Sequence, residues 1–265
     1  MWTVERILIG FLTYAALAAW RPGVAPARRV LVMLICAADA VVVWQLAGIE
    51  PPWTPTVRAW QPALQILVCY WLSGALFVRP MPRLEAWLVR TDAAAFAALG
   101  LRAAMARAPR WMLEALELAY LLVYPVVPAG FAAALIASPE LDADRYWSLV
   151  VSAELACYAA LPWLQSRPPR ALGELPRIGA RPLAIRRVNL RILRHGSIQV
   201  NTVPSGHAAG AAATALAVAA VSPAAGVAFA ALAVGIVIGS VVGRYHYAID
   251  SLLGIVVALA AAAAF

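Results

Sequence analysis

The chain has three histidines, His195, His207 and His246, and two of them sit in settings that suit phosphoryl chemistry. Pro204-Ser205-Gly206-His207 stands where a long polar segment gives way to an apolar run. His246-Tyr247-Ala248-Ile249-Asp250 stands between two later apolar runs, and its carboxylate follows the imidazole by four residues. In a helix that spacing puts the two groups one turn apart on one side. An aspartate bonded to one ring nitrogen fixes the tautomer and leaves the other nitrogen free to attack or to take a proton. A helix starting at Ser205-Gly206 offers free amides and a partial positive charge to an anion, and glycine lets the backbone come close to it. Arg170 and Arg244 add fork-shaped donors for phosphate oxygens. Together these groups suit a phosphate ester, with one histidine to attack and the other to protonate the leaving oxygen. His195 and Asn201 are candidate substrate contacts. A non-catalytic, interfacial reading of the same residues stays open at this level.

The elements that position them are membrane helices by composition. Of the 265 residues, 64% are hydrophobic and 13% charged, against about 45–50% and about 25% in a soluble domain. The apolar residues fall in eight blocks, approximately 3–20, 30–48, 61–78, 111–137, 146–164, 205–221, 224–243 and 246–265. A span needs roughly 20 such residues, and continuous runs without alternation mean helices, not a barrel. Tryptophans near block edges, including Trp2, Trp20, Trp53, Trp111, Trp147 and Trp163, are expected at the membrane interface. Residues 82–109 read as one or two interfacial helices. Residues 165–204 form the longest polar stretch, with eight arginines. Gly235, Gly239 and Gly243 are spaced for close helix packing. Cys36, Cys69 and Cys157 read as small buried hydrophobes. The N-terminus lacks a basic leader and a cleavage site, so the first block reads as a retained span.

The motifs resemble those of the type 2 phosphatidic acid phosphatase (PAP2) superfamily. Asn201-Thr-Val-Pro-Ser-Gly-His207 is similar to that family's second motif, and His246-x-x-x-Asp250 to the end of its third. The resemblance implies an all-α, polytopic bundle of about eight spans. It covers about residues 111–265 as a PAP2-like catalytic core, with residues 1–110 as N-terminal spans plus the interfacial segment. It also implies a metal-independent reaction through a phosphohistidine, without cofactor. By motif position His246 is the nucleophile, Asp250 its orienting partner and His207 the acid, while Ser205 and Gly206 bind phosphate. The family's common first motif, Lys-x6-Arg-Pro, has no counterpart, because all 21 cationic residues are arginine. Arg181-Pro182 has Glu174 at the lysine offset, so the first-motif role falls on Pro168-Pro169-Arg170. In the third motif, Ser240 stands where the family commonly has arginine, and the arginine is Arg244. That form is similar to the branch with inositol phosphorylceramide and sphingomyelin synthases.

The resulting expectation is a bacterial inner-membrane enzyme hydrolysing a phosphomonoester or pyrophosphate of a lipid or isoprenyl substrate. A phospholipid headgroup transferase is the alternative within phosphoryl chemistry. Outside it stands a transporter or a non-catalytic membrane scaffold; Asp39, Glu114, Glu117 and Glu154 lie in or near spans and are functional candidates, with only Asp39 and Glu154 at mid-membrane depth and Glu114 and Glu117 close to the interface. Membrane lipids are the expected surroundings. The net charge of +8 belongs to loop arginines and does not imply nucleic acid. Of the 21 arginines, 18 fall in segments 21–29, 79–110, 165–204 and 244–245, which share the face of both histidines. Arginine bias therefore predicts an active site on the cytoplasmic face.

Overall fold

The computed structural model describes residues 1–48, 53–173 and 182–265, and Glu50, Glu174 and Arg181 lie outside them. The described residues form thirteen α-helices. They are α1 (Thr3–Ala18), α2 (Pro26–Gly48), α3 (Thr54–Ala75), α4 (Pro82–Ala98), α5 (Leu101–Arg107), α6 (Arg110–Leu121), α7 (Val123–Ala137), α8 (Ala143–Ala160), α9 (Pro169–Leu172), α10 (Ala184–Gly196), α11 (Gly206–Val221), α12 (Pro223–Val242) and α13 (Ala248–Ala264). Helix α2, helix α12 and, counted as one, the bent pair α6–α7 are long and apolar enough to cross a membrane. Large apolar side chains such as Leu34, Leu64, Ile136, Val227 and Leu252 point outward, as expected of a bundle in lipid.

The apolar block 111–137 is two helices meeting at 64°. Pro125 supplies the cause. It has no N–H to donate to the Leu121 carbonyl, and its ring excludes that oxygen, so the helix breaks one turn before it. The interfacial segment is two helices, α4 and α5, hinged at Gly100 with φ of 59°. Trp147 departs from the expected interfacial belt: it is fully buried, and its indole N–H donates to the Ala59 carbonyl at 2.7 Å. Trp20, Trp53, Trp111 and Trp163 are exposed.

Helix α11 is the centre of the C-terminal bundle, packed against α7, α8, α12 and α13. Its sequence, GHAAGAAATALAVAAV, explains why. Small side chains let several backbones approach at once, the main packing device where lipid removes the hydrophobic drive between helices. Gly210 leaves room for Glu154 of α8, whose Oε1 would lie 2.0 Å from an added Cβ. The glycine stripe of α12 packs on α6 in the same way: a Cβ at Gly239 would lie 2.3 Å from the Leu116 carbonyl oxygen. Ser205 caps α11 by accepting from the Ala208 amide at 3.3 Å, and Ser222 caps α12 through Ala225 at 3.4 Å.

Both termini gather at one end of the bundle. The amides of Thr3 and Val4 donate to the Asp144 carboxylate at 2.8 and 2.9 Å, and Arg145 Nε donates to the Phe265 carbonyl at 2.8 Å. At the other end, Gln165 accepts from the Val78 and Arg79 amides, each at 2.9 Å, and Ser166 pairs with Asn201 in an antiparallel bridge. Both motif histidines lie at this second end. The three cysteines are buried and unpaired.

Candidate active site

His207 opens helix α11 and His246 sits in the short loop between α12 and α13. Packing of those three helices brings the rings to 5.4 Å centre to centre, at an interplanar angle of 78°. Asp250, in the first turn of α13, places Oδ2 3.5 Å from Nδ1 of His246. That separation is longer than a good hydrogen bond, as is common at catalytic pairs before substrate binds. It leaves Nε2 of His246 as the nitrogen not facing the carboxylate. Asp250 is itself held: Asn201 Nδ2 donates to its Oδ2 at 2.8 Å, and its backbone carbonyl accepts from the Ser205 amide at 2.9 Å. Asn201 therefore bonds the carboxylate beside the imidazole and is not part of the pocket lining.

A small polar pocket lies between the histidines, lined among others by Arg170, Thr202, His207, Tyr245 and His246. Pro168 and Pro169 start α9 and turn Arg170 toward the site; its amide donates to the Arg244 carbonyl at 3.0 Å and Nη1 to the Tyr245 carbonyl at 3.4 Å. The other expected contacts are less direct. Arg244 does not line this pocket, because its guanidinium is buried in an ion pair with Asp92. Ser205 spends its hydroxyl on the helix cap, and the Gly206 amide donates to Thr202 Oγ1 at 3.3 Å. Glycine is required at 206, since a Cβ would meet the Tyr158 ring at 2.5 Å. His195 is exposed on α10 with Nδ1 at 2.9 Å from the Arg191 carbonyl, outside the pocket lining.

Several side chains escaped the sequence reading. Tyr70, Tyr120 and Tyr124 surround His207, with ring centres 6.3, 6.1 and 6.3 Å away. Tyr245 stacks on Tyr120 at 3.9 Å and donates to Glu117 Oε2 at 2.6 Å. Burial first, then the Glu117 carboxylate, pushes its phenol up, so it stays protonated and donates. Glu117 also takes Arg186 Nη1 at 2.9 Å and Asn189 Nδ2 at 2.8 Å, while Glu114 caps the α10 amides of Ala184 and Ile185 at 2.7 and 3.0 Å. These two carboxylates thus pin α10 beside the site.

Asp92 and Glu85 of α4 were not singled out at all, yet both reach the site loops. Asp92 Oδ2 accepts from Arg244 Nη1 and Oδ1 from the Ala248 amide at 2.9 Å. Glu85 accepts from the Arg167 amide at 2.8 Å and from its guanidinium at 3.0 and 2.9 Å. Those Arg167 hydrogen bonds hold the Glu85 carboxyl below the usual carboxylate range. A depressed folded-state value means this contact stabilises above the ordinary range and is lost as pH falls through the depressed one.

The polar pocket adjoins a much larger apolar cleft of about 990 Å³. Tyr70, Tyr158, Ser197 and His207 belong to both. Helices α2 and α3 supply much of the cleft wall, with residues such as Val42, Leu46, Leu64 and Leu67. Asp39 and Glu154, the two mid-block carboxylates, line it too, and Glu154 accepts from Tyr158 at 2.6 Å.

Comparison with known families gives a match to the PAP2 superfamily over residues 146–265. Most of α8, helices α9 to α13, His207, His246, Asp250 and Arg170 fall inside that stretch. The C-terminal part of the chain is thus similar to the PAP2 superfamily, whose members are generally phosphatases and phosphotransferases acting on phosphorylated lipids. Comparisons with curated proteins and with solved structures return no match.

Proposed function

We propose that the protein is a membrane-embedded lipid phosphate phosphatase working through a phosphohistidine on His246. The observation that carries this reading is the position of His207, which belongs to the polar pocket and the apolar cleft at once. A phosphate beside the histidines then leaves its apolar chain a place to lie. Neither a scaffold nor a transporter needs two imidazoles 5.4 Å apart at the mouth of such a cleft.

Asp250 faces the His246 Nδ1 at 3.5 Å and takes its N–H as the pair tightens around substrate, so the Nε2 lone pair attacks phosphorus. The Nε2–P bond forms as the P–O bond to the lipid breaks, and the leaving oxygen takes a proton from His207. Water then attacks the phosphohistidine, gives its proton to His207 and releases phosphate and His246. Arg170 balances charge on the phosphoryl oxygens, and the Ser205–Gly206 start of α11 adds its positive end. This chemistry calls for no metal. Among the described residues no three His, Cys, Asp or Glu side chains gather to hold one.

The test is phosphate release by purified protein from a panel of lipid and isoprenyl phosphates, with and without excess chelator. Release that survives the chelator and is inhibited by vanadate is expected. Activity restored only by added metal contradicts the mechanism, and transfer of the phosphorylated headgroup to an added lipid alcohol favours the transferase.

We place the eight apolar passes across a bacterial inner membrane, with the bent α6–α7 pair as one pass and the site on the cytoplasmic face. Support comes from the arginine bias and from the packing of both termini at the opposite end of the bundle. The test is a variant with Cys36, Cys69 and Cys157 changed to alanine and Ser197→Cys added. An impermeant thiol reagent should label it only after the inner membrane is opened. Labelling in intact cells puts the site outside and leaves the chemistry untouched.

A further inference from the structure

We infer that α4, which lies outside the family-matched stretch, is part of the catalytic apparatus, with Asp92 as a positioning residue for His246 and Glu85 as its companion. The inference rests on the lipid phosphatase reading. Glu85 and Asp92 are seven residues apart, two helical turns, and so share one face of α4. Each holds a different loop of the site.

Asp92 brackets the nucleophile. It binds Arg244, two residues before His246, and the Ala248 amide, two residues after it. Both partners of the ion pair are buried, Asp92 at 1% and Arg244 at 8% exposure. Arg244 adopts φ of 64°, a left-handed conformation that a non-glycine residue keeps only where its surroundings hold it. The surroundings are again α4: the guanidinium lies 5.3 Å from the Phe96 ring centre. Glu85 secures the neighbouring loop through Arg167, three residues before Arg170. The Arg167 carbonyl in turn accepts from Tyr247, adjacent to His246, at 3.1 Å. The loop 244–248 is thus tied to α4 directly at Arg244 and Ala248 and by way of Arg167 at Tyr247, and His246 stands in the middle.

Without Asp92 the backbone around His246 loses two of its tethers and a buried guanidinium loses its partner. The nucleophile then samples positions away from phosphorus, which lowers turnover rather than substrate affinity. For Asp92→Ala we expect kcat to fall by about 100-fold, the order that a misplacement of about 1 Å costs, with KM little changed. Asp92→Asn keeps an acceptor for Ala248 and should fall between. The double variant Asp92→Ala with Arg244→Leu should lose no more than the worse single variant, because both act through one contact.

A second readout needs no turnover. In protein labelled with ¹⁵N-histidine, Asp92→Ala should shift or broaden the His246 resonances and leave His195, on exposed α10, in place. Three outcomes overturn the inference: wild-type kcat in Asp92→Ala, an unchanged His246 signal, or a loss in which KM and all three histidines change together. If the wild type releases no phosphate from any lipid, the phosphatase reading fails on its own, and the His246 resonances still decide whether α4 holds that ring.

Discussion

His246→Ala should abolish phosphoryl transfer to the protein, with phosphate release at the level of the uncatalysed reaction. No other side chain lining the polar pocket combines a free ring nitrogen with an orienting carboxylate. His207 faces the same pocket, but the structure pairs no carboxylate with it. The variant should fold, since His246 makes no side-chain hydrogen bond that another group depends on. Steady-state phosphate release checks the point, and substantial activity in His246→Ala removes the basis for the assigned roles.

The second large effect belongs to His207→Ala and depends on the leaving group. An alkyl alkoxide needs a proton as the P–O bond breaks, and general acid assistance is typically worth about 10²–10⁴-fold. A lipid phosphate should therefore be slowed by that order. An activated aryl phosphate, whose oxygen leaves without a proton, should be slowed far less. Comparing kcat/KM for the two substrate types gives the answer. Equal losses contradict the acid role and point instead to a part in shaping the mouth of the cleft, where His207 contacts three tyrosine rings.

The motif end of the site was legible in the sequence because its parts are local. Ser205 caps the helix that carries His207, and four residues separate His246 from Asp250; His246 lies in the loop just before α13 rather than on the helix, yet the short spacing still brings the two groups to 3.5 Å. The apolar blocks announced the helices for the same reason. What spacing cannot show is which distant group a side chain meets. Arg244 looked like a phosphate ligand because an arginine beside a histidine suits one, but its partner is 152 positions away on α4. Asn201 looked like a substrate contact and proves to hold Asp250. Trp147 had the position of an interfacial indole, yet the neighbouring α3 covers it. The bend between α6 and α7 was within reach, since Pro125 marks it inside an otherwise continuous apolar run. The apolar cleft was not, since it exists only where α2, α3, α7, α8 and α11 meet.

Helices α2, α3 and α4 lie outside the family-matched stretch but border the cleft and the site loops. They carry no motif, yet α2 and α3 wall the space beside His207, and α4 ties down the loop of His246. Under the proposed phosphatase reading, the C-terminal helices supply the reacting groups, and α2, α3 and α4 supply the chain-binding wall and the brace.

The most direct measurement is where the phosphoryl group goes. Protein mixed with a radiolabelled lipid phosphate, quenched in alkali within the first turnover and digested, should carry acid-labile label on the peptide containing His246. His246→Ala should carry none, and the Asp92 variants should acquire label more slowly. Label on His207, on any other residue, or nowhere while phosphate is released at full rate would contradict a phosphohistidine at His246.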